Sequence, residues 1–215
     1  MPLERHTTFY ELWDALAAPD ACAICRLRRK RARAFMEGFF YENVNEPGLR
    51  ENLHDSLGFS PEALSLAEDI HDALGLSIVY AALCDDVARR LVRPEPSLSP
   101  EQPCPLAAHA RETEQRYLAE FARHYADEDL QARYETGFGF CVGHLREVLA
   151  LLGDRTLRQR LCAAETRKFT ALRDELKRFE AKNDYRNREP FGGEADGWQR
   201  ALRKFRRPEQ FGAPV

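Results

Sequence analysis

The stretch "RPEPSLSPEQP", residues 93–103, separates two parts of the chain that show the same order of predicted elements. Four of its eleven residues are prolines. Because proline fixes φ and lacks a backbone N–H, the stretch predicts an extended linker. On both sides of it, apolar residues recur at helical spacing, and no segment alternates as a strand would. The sequence therefore predicts an all-α fold.

Capping residues and breakers set the expected helix ends. Thr8 and Glu11 form a capping-box pattern, and Ser60 followed by Pro61 suits an N-cap and a first helical position. Pro19, Pro47-Gly48 and the glycines of "GFGF" (137–140) end predicted helices. The predicted helices cover about 9–16, 22–44, 48–57, 61–92, 105–126, 128–136, 142–152, 155–182 and 198–205, and 183–197 is predicted to be irregular.

The two sides of the linker resemble each other. A shift of 82 residues, or 81 after one deletion, pairs Cys22 with Cys104, Met36 with Leu118, Phe39 with Phe121, and Gly58-Phe59 with Gly139-Phe140. We interpret this as an internal duplication that forms one pseudo-twofold helical bundle; two separate bundles are the alternative. The predicted organisation is an N-terminal helix (1–21), a first repeat (22–92), the linker (93–103), a second repeat (104–183) and a C-terminal tail with a short helix (184–215), all in one domain.

Cysteine and histidine occur in short pairs near predicted helix starts. The first half contains Cys22 and Cys25, and the second contains Cys104 and then Cys141 and His144. The implied unit is C-x-x-C followed by C-x-x-H, and three thiolates with one imidazole form a tetrahedral zinc set. The corresponding positions that lack a ligand are Ser60, Ala63 and Ala107.

Two pairings of these ligands are possible. If each half builds its own site, both sites are incomplete. If the halves exchange pieces, Cys22, Cys25, Cys141 and His144 form a complete set, and all losses fall in the other set. We favour this crossed set as a zinc site. One alternative is a three-ligand site at Cys104, Cys141 and His144, whose open position could activate a water. The other is that the cysteines are buried thiols, as we expect for Cys84 and Cys162.

The same motifs carry a resemblance to a known family. "CAIC" (22–25), "CPLA" (104–107), "GFCVGH" (139–144) and the tail "NDYRNREPFGGEADGW" (183–198) resemble a family of uncharacterised bacterial proteins. Those proteins carry a C-P-x-C … G-F-C-x-x-H unit twice and end in D-Y-R … E-P-x-G … W. The resemblance implies a helical fold and no known activity.

Composition narrows the function classes. A net charge of -3 argues against a general nucleic-acid or membrane binder, and no apolar run approaches a membrane span. A cytoplasmic protein is expected, in which six cysteines are thiols or metal ligands rather than disulfides. The sequence contains no recognisable catalytic motif, so no catalytic residue is predicted.

The favoured function is a zinc-stabilised helical binding or scaffold module, with an unknown protein partner or a second copy of the chain. A metal- or thiol-dependent enzyme or redox protein that uses the C-x-x-C is the first alternative. The second is a nucleic-acid or regulatory binder that uses the basic helix 26–33, "RLRRKRAR". In the tail, Arg186, Arg188 and Trp198 are candidates for a binding segment. Trp198 is otherwise expected to fill an apolar groove.

Overall fold

The computed structural model describes residues 5–42 and 46–205, and within these ranges it contains ten helices and no strand. The all-α prediction is therefore confirmed. The helices are α1 (Thr7–Leu16), α2 (Ala23–Glu42), α3 (Pro47–Asp55), α4 (Pro61–Ile70), α5 (Ala73–Leu91), α6 (Pro105–His124), α7 (Glu128–Thr136), α8 (Val142–Leu151), α9 (Arg155–Lys182) and α10 (Gly197–Phe205).

Most helix ends follow from local sequence. Ser60 caps α4, where its hydroxyl accepts a hydrogen bond from the backbone N–H of Ala63 and Pro61 occupies the first turn. Asp154 caps α9 in the same way, through the N–H groups of Thr156 and Leu157. Residues 93–103 lie outside the helices and are exposed, as their prolines predict.

Two local predictions are wrong. Thr8 lies inside α1, and the N-cap is His6, whose side chain makes no capping bond. The single helix predicted over 61–92 is two helices, because His71 adopts a left-handed conformation at φ 58° and Asp72 starts α5 by accepting from the N–H of Gly75. A left-handed residue ends a helix, and a non-glycine residue there is uncommon, so helical periodicity alone does not reveal the break.

The chain forms two compact units. The described part of the first unit comprises residues 5–27 and 114–205, and that of the second comprises 28–42 and 46–113. The boundaries fall inside α2 and α6, so each of these helices contributes its first residues to one unit and the remainder to the other. The predicted pseudo-twofold relation and the predicted domain limits stay predictions.

An aromatic cluster forms the centre of the first unit. The rings of Phe121, Tyr134 and Phe140 lie 4.7–5.3 Å apart between centroids, and all three are almost fully buried. Aromatic pairs at this separation add to the free energy gained from apolar burial. Phe9 and Leu12 of α1 belong to the same core. Because Tyr134 precedes the "GFGF" loop and Phe140 is its last residue, this core holds the chain at both ends of the loop.

The second unit has its own apolar core. Phe39 and Phe59 pack edge to face at 5.4 Å, and Cys104 and Ala107 belong to this core rather than to that of the first unit. Gly58 adopts φ 103°, and Gly139 of the first unit, with which the predicted duplication pairs it, adopts φ 79°. Because only glycine adopts such angles readily, the two "GF" breaks use the same backbone device.

Candidate metal centre

The start of α2 provides two thiols to the first unit. The carbonyl of Cys22 accepts the first helical hydrogen bond, from the N–H of Arg26, so Cys22 lies at the N-cap position. Cys25 follows one turn later, and residues three apart lie on the same side of a helix. Cys22 is buried and Cys25 is partly buried. The C-x-x-C spacing therefore places both sulfur atoms at the first turn of α2.

The start of α8 provides the second pair. Cys141 is the N-cap of α8, with φ -71° and ψ 160°, and its side chain makes no capping bond. Ser60, which the predicted duplication pairs with Cys141, has nearly the same backbone angles, but its hydroxyl caps its own helix. His144 lies one turn into α8 and is 1% exposed. The same backbone conformation thus presents a capping hydroxyl at Ser60 and a candidate sulfur ligand at Cys141.

The four side chains converge on one point. The Nδ1 atom of His144 lies 3.4 Å from the sulfur of Cys22, 3.5 Å from that of Cys25 and 3.2 Å from that of Cys141. The sulfur atoms of Cys25 and Cys141 lie 3.9 Å apart, and all four donor atoms lie within 4.8 Å of one another. This group can hold a metal ion.

The separations suit a tetrahedral ion. With Zn–S and Zn–N distances of about 2.3 and about 2.0 Å, a regular tetrahedron has S···S edges of about 3.8 Å and S···N edges of about 3.5 Å. The observed 3.9 Å between Cys25 and Cys141, and 3.2–3.5 Å to His144, lie close to these edges. Four of the six separations therefore match a tetrahedral ion, and the other two, from the sulfur of Cys22 to those of Cys25 and Cys141, are within 4.8 Å.

Protonation in the metal-free arrangement is uneven. Burial, followed by hydrogen bonds to Cys141 and Cys25, raises the pKa of Cys22 well above its ordinary value. Hydrogen bonds from Cys22 and Cys25 lower the pKa of Cys141 strongly. Burial lowers the pKa of His144, but hydrogen bonds to Cys141, Cys25 and Glu114 outweigh burial and raise it to about 11. Metal binding must displace the remaining protons, so it is favoured by higher pH.

Glu114 is a candidate residue of this site that the sequence prediction missed. Its Oε1 atom lies 3.3 Å from Nε2 of His144, and the carboxylate is buried. Metal-binding histidines usually donate their second N–H to such a group, which fixes the ring orientation. The predicted duplication offered a signal, because its shift of 82 residues pairs Glu114 with Ala32, in the half that also lacks the histidine.

A buried polar network holds the loop before Cys141. The carboxylate of Glu165 accepts hydrogen bonds from the hydroxyl of Tyr134, from the N–H of Phe140 at 2.8 Å and from the ammonium of Lys204 at 2.7 Å. Burial, together with the nearby Glu165, raises the pKa of Tyr134, which keeps its hydroxyl protonated as a donor. Gly139 has no room for a side chain, because an added Cβ would overlap this carboxylate.

The remaining predicted site residues lie elsewhere. Cys104 is buried in the core of the second unit, and among residues 5–42 and 46–205 it is not part of the group of converging donor atoms. Arg186 forms an ion pair with Asp184 at 2.7 Å, and Arg188 is exposed. Trp198 is 47% exposed, so the prediction that it fills an apolar groove is wrong. Arg186, Arg188 and Trp198 are therefore not part of the group formed by Cys22, Cys25, Cys141 and His144.

Cys84 and Cys162 are exposed, and the prediction that they belong to the core is wrong. The preceding leucines, Leu83 and Leu161, take the buried face, at 5% and 0% exposure. Because successive residues on a helix point about 100° apart, the cysteine next to a core leucine is turned toward solvent. An apolar neighbourhood in sequence does not distinguish these two faces.

The basic run at residues 26–33 is partly neutralised by carboxylates. Arg26 pairs with Asp20 at 3.1 Å, Arg33 pairs with Glu37 at 2.8 Å, and Arg28 is buried against Glu62. Ion pairs of this kind weaken the positive field that would attract a phosphate backbone. Within the described residues, no helix is both long and apolar enough to cross a lipid bilayer.

Comparison with known proteins gives one match. No curated protein and no solved structure matches the chain significantly. The "Family of unknown function (DUF6062)" matches residues 95–210, which is more than half of the chain. The matched range includes Glu114, Cys141 and His144, whereas Cys22 and Cys25 precede it. The chain therefore belongs to DUF6062, a family of unknown function.

Proposed function

We propose that Cys22, Cys25, Cys141 and His144 bind one structural zinc ion, which stabilises a helical binding or scaffold module. The observation that carries the proposal is the convergence of three sulfur atoms and one imidazole nitrogen within 4.8 Å of one another, with the nitrogen 3.2–3.5 Å from each sulfur. Residues 25 and 141 are 116 positions apart in the chain. A bridging ion would therefore tie the start of α2 to the start of α8.

The donor set favours zinc among the common metals. Calcium and magnesium prefer oxygen ligands, and iron–sulfur clusters are usually held by four thiolates. Three thiolates and one imidazole form a common structural zinc set, and zinc accepts tetrahedral geometry without strain. The buried carboxylate of Glu114 behind His144 has the place of the outer partner that zinc-binding histidines commonly have.

The arrangement favours a structural role over a catalytic one. Catalytic zinc sites use three protein ligands and keep a fourth position for water or substrate. Here four protein donors surround the central space, and three of them, Cys22, Cys141 and His144, are almost fully buried. A redox use of Cys22 and Cys25 would require these thiols to be free of metal, so the two functions are separable by experiment.

Metal analysis of the full-length protein tests this proposal. Protein purified without added chelator is expected to contain one zinc per chain by mass spectrometry of the element. Replacement of zinc by Co²⁺ is expected to give the intense visible absorption of a tetrahedral thiolate-bound ion. A protein that takes up neither metal would contradict the proposal, and a disulfide between Cys22 and Cys25 that forms in air would favour the redox alternative.

The binding or scaffold role is supported by the surface of α10. Trp198, Leu202 and Phe205 are 47–66% exposed and recur at helical spacing, so they form one apolar strip. Exposed apolar strips of this kind are commonly covered by another protein. A measurement of mass in solution for the wild type and for Leu202→Glu tests self-association. A dimer that Leu202→Glu separates would indicate a second copy of the chain, and a monomeric wild type would exclude one.

A further inference from the structure

We propose that α10 positions the metal ligands through Arg203 and Lys204, so that docking of α10 and metal binding stabilise each other. This inference rests on the proposed zinc site and adds a means of regulating it. Two adjacent residues of one helix contact the two loops that lead into the starts of α2 and α8, where the proposed ligands lie. These are the loop before Cys22 and the loop before Cys141.

Lys204 holds the loop that leads to Cys141. Its Nζ atom donates hydrogen bonds to the backbone carbonyls of Phe138 at 2.9 Å and Phe140 at 2.8 Å, and to Glu165 at 2.7 Å. The side chain of Lys204 is 2% exposed. Because Phe140 directly precedes the ligand Cys141, these bonds fix the backbone from which the sulfur projects.

Arg203 reaches the other loop. Its guanidinium donates to the backbone carbonyl of Asp20 at 3.0 Å, and Asp20 precedes the ligand Cys22 by two residues. The two loops are also bonded to each other, because the N–H of Phe138 donates to the carbonyl of Ala18 at 2.9 Å. The C-terminal end of α10 therefore contacts both loops close to the hydrogen bond that links them.

The burial of Lys204 shows how strongly α10 depends on this contact. Gly197 and Lys204 are the buried residues of α10, whereas its apolar strip of Trp198, Leu202 and Phe205 is largely exposed. A buried ammonium is unfavourable unless it is paired and hydrogen-bonded. Two of the three hydrogen-bond partners of Lys204 are carbonyls of the "GFGF" loop and the third is Glu165 of α9, so a disturbed loop removes part of the compensation for burial.

If docking of α10 favours metal binding, then metal binding must favour docking of α10. If docked α10 holds the loops in the geometry that binds the ion, then the bound ion must favour docked α10 by the same free energy. Metal loss would loosen the loop before Cys141, and Lys204 would lose its carbonyl partners. We therefore expect the metal-free protein to release α10 before the aromatic core opens.

The first test compares zinc affinities of full-length variants by competition with a chromogenic chelator. Lys204→Met is expected to weaken zinc binding at least about tenfold, the effect of losing an outer support of a metal site. Arg200→Met is the matched control. Arg200 joins α10 to Glu175 of α9 and, among its described partners, contacts neither ligand loop. It should change the affinity by less than about threefold.

The second test needs no variant and therefore remains decisive if Lys204→Met fails to fold. Amide hydrogen exchange of the wild type is measured with and without zinc. Amides of α10 are expected to exchange at least about tenfold faster after zinc removal, whereas those of α5 in the second unit should change little.

The outcomes separate the coupling from the zinc site itself. A wild type that binds zinc, with unchanged affinity in Lys204→Met and unchanged exchange in α10, overturns the coupling and leaves the proposed function intact. A wild type that binds no zinc overturns both. Weaker binding in Lys204→Met but not in Arg200→Met, together with faster exchange in α10, supports the coupling.

Discussion

The Nε2 atom of His144 lies 3.3 Å from Oε1 of Glu114, while Nδ1 of the same ring faces the three thiols. The ring is 1% exposed and the carboxylate is buried beside it. A buried histidine with one nitrogen toward thiols and the other toward a carboxylate has its tautomer and orientation fixed. This arrangement is the one expected if His144 is a metal ligand, as proposed, and it is not required of a histidine that only fills the core.

Glu114→Gln is expected to weaken zinc binding by about 10–100-fold, because the neutral amide polarises the imidazole less than the carboxylate does. Competition with a chelator gives the affinity. Glu112→Gln, at an exposed position of the same helix, is the control and should bind as the wild type does. Equal affinities for the two variants would contradict the assigned role of Glu114.

Zinc removal is expected to lower the melting temperature. A ligand at about 1,000 times its dissociation constant contributes about 4 kcal/mol to the free energy of unfolding. In a chain of this size, 1 kcal/mol changes the melting temperature by about 2–4 °C, so the loss should be about 10 °C. Calorimetry with and without a strong chelator measures it, and restored zinc should return the original value. An unchanged melting temperature would argue against a structural ion.

Cys22→Ser and Cys84→Ser should behave differently. Cys22 is 1% exposed and lies within the group of donor atoms, so its loss should remove zinc and lower the free energy of unfolding by several kcal/mol. Cys84 is exposed, and its replacement should change that free energy by no more than about 0.5 kcal/mol. Zinc content and urea unfolding are measured on both variants. Retained zinc in Cys22→Ser would exclude it as a ligand.

Gly139→Ala should destabilise the protein by more than about 2 kcal/mol. Its φ of 79° disfavours any side chain, and the added methyl group would overlap the carboxylate of Glu165. Gly38→Ala in the interior of α2 is the opposite case. An added Cβ there meets nothing within 4 Å, and alanine should stabilise the helix by about 0.5–1 kcal/mol. Urea unfolding gives the free energy of unfolding of both variants. Equal changes in that free energy would contradict the prediction.

Glu194 should make the stability of the tail depend on pH. An ion pair with Lys182 at 2.7 Å, and a hydrogen bond from the N–H of Gly192, lower its pKa to about 2. Because the pKa is lower in the folded state than the ordinary 4.5, the stabilising contribution is present above pH 4.5. It is lost as the pH falls from 4.5 toward 2.

The difference in unfolding free energy between the wild type and Glu194→Gln should therefore shrink across that pH range. The exposed Glu189 supplies the control, because the difference between the wild type and Glu189→Gln should stay small and constant. A wild-type advantage over Glu194→Gln that is the same at pH 6 and pH 3 would rule out the ion pair as its cause.

Local sequence determined the helices well. Ser60 and Pro61 start α4, the range 155–182 was predicted at its observed limits, and the prolines of 93–103 keep that segment out of helices. Caps, breakers and helical periodicity act over a few residues, so they can be read without a structure. The break at His71 was missed because it depends on one left-handed residue that no local rule requires.

The sequence also supplied the two halves of the candidate site and the family, but the tertiary structure decided which groups meet. C-x-x-C and C-x-x-H each specify two neighbouring ligands, whereas the contact between Cys25 and Cys141 joins positions 116 residues apart. For the same reason, the sequence did not reveal the contact of Glu114 with His144, the burial of Lys204 or the exposure of Cys84 and Cys162. Spacing in the sequence indicates which residues lie on the same face of a helix. Only the packing of the folded chain decides which faces are buried and which residues cover them.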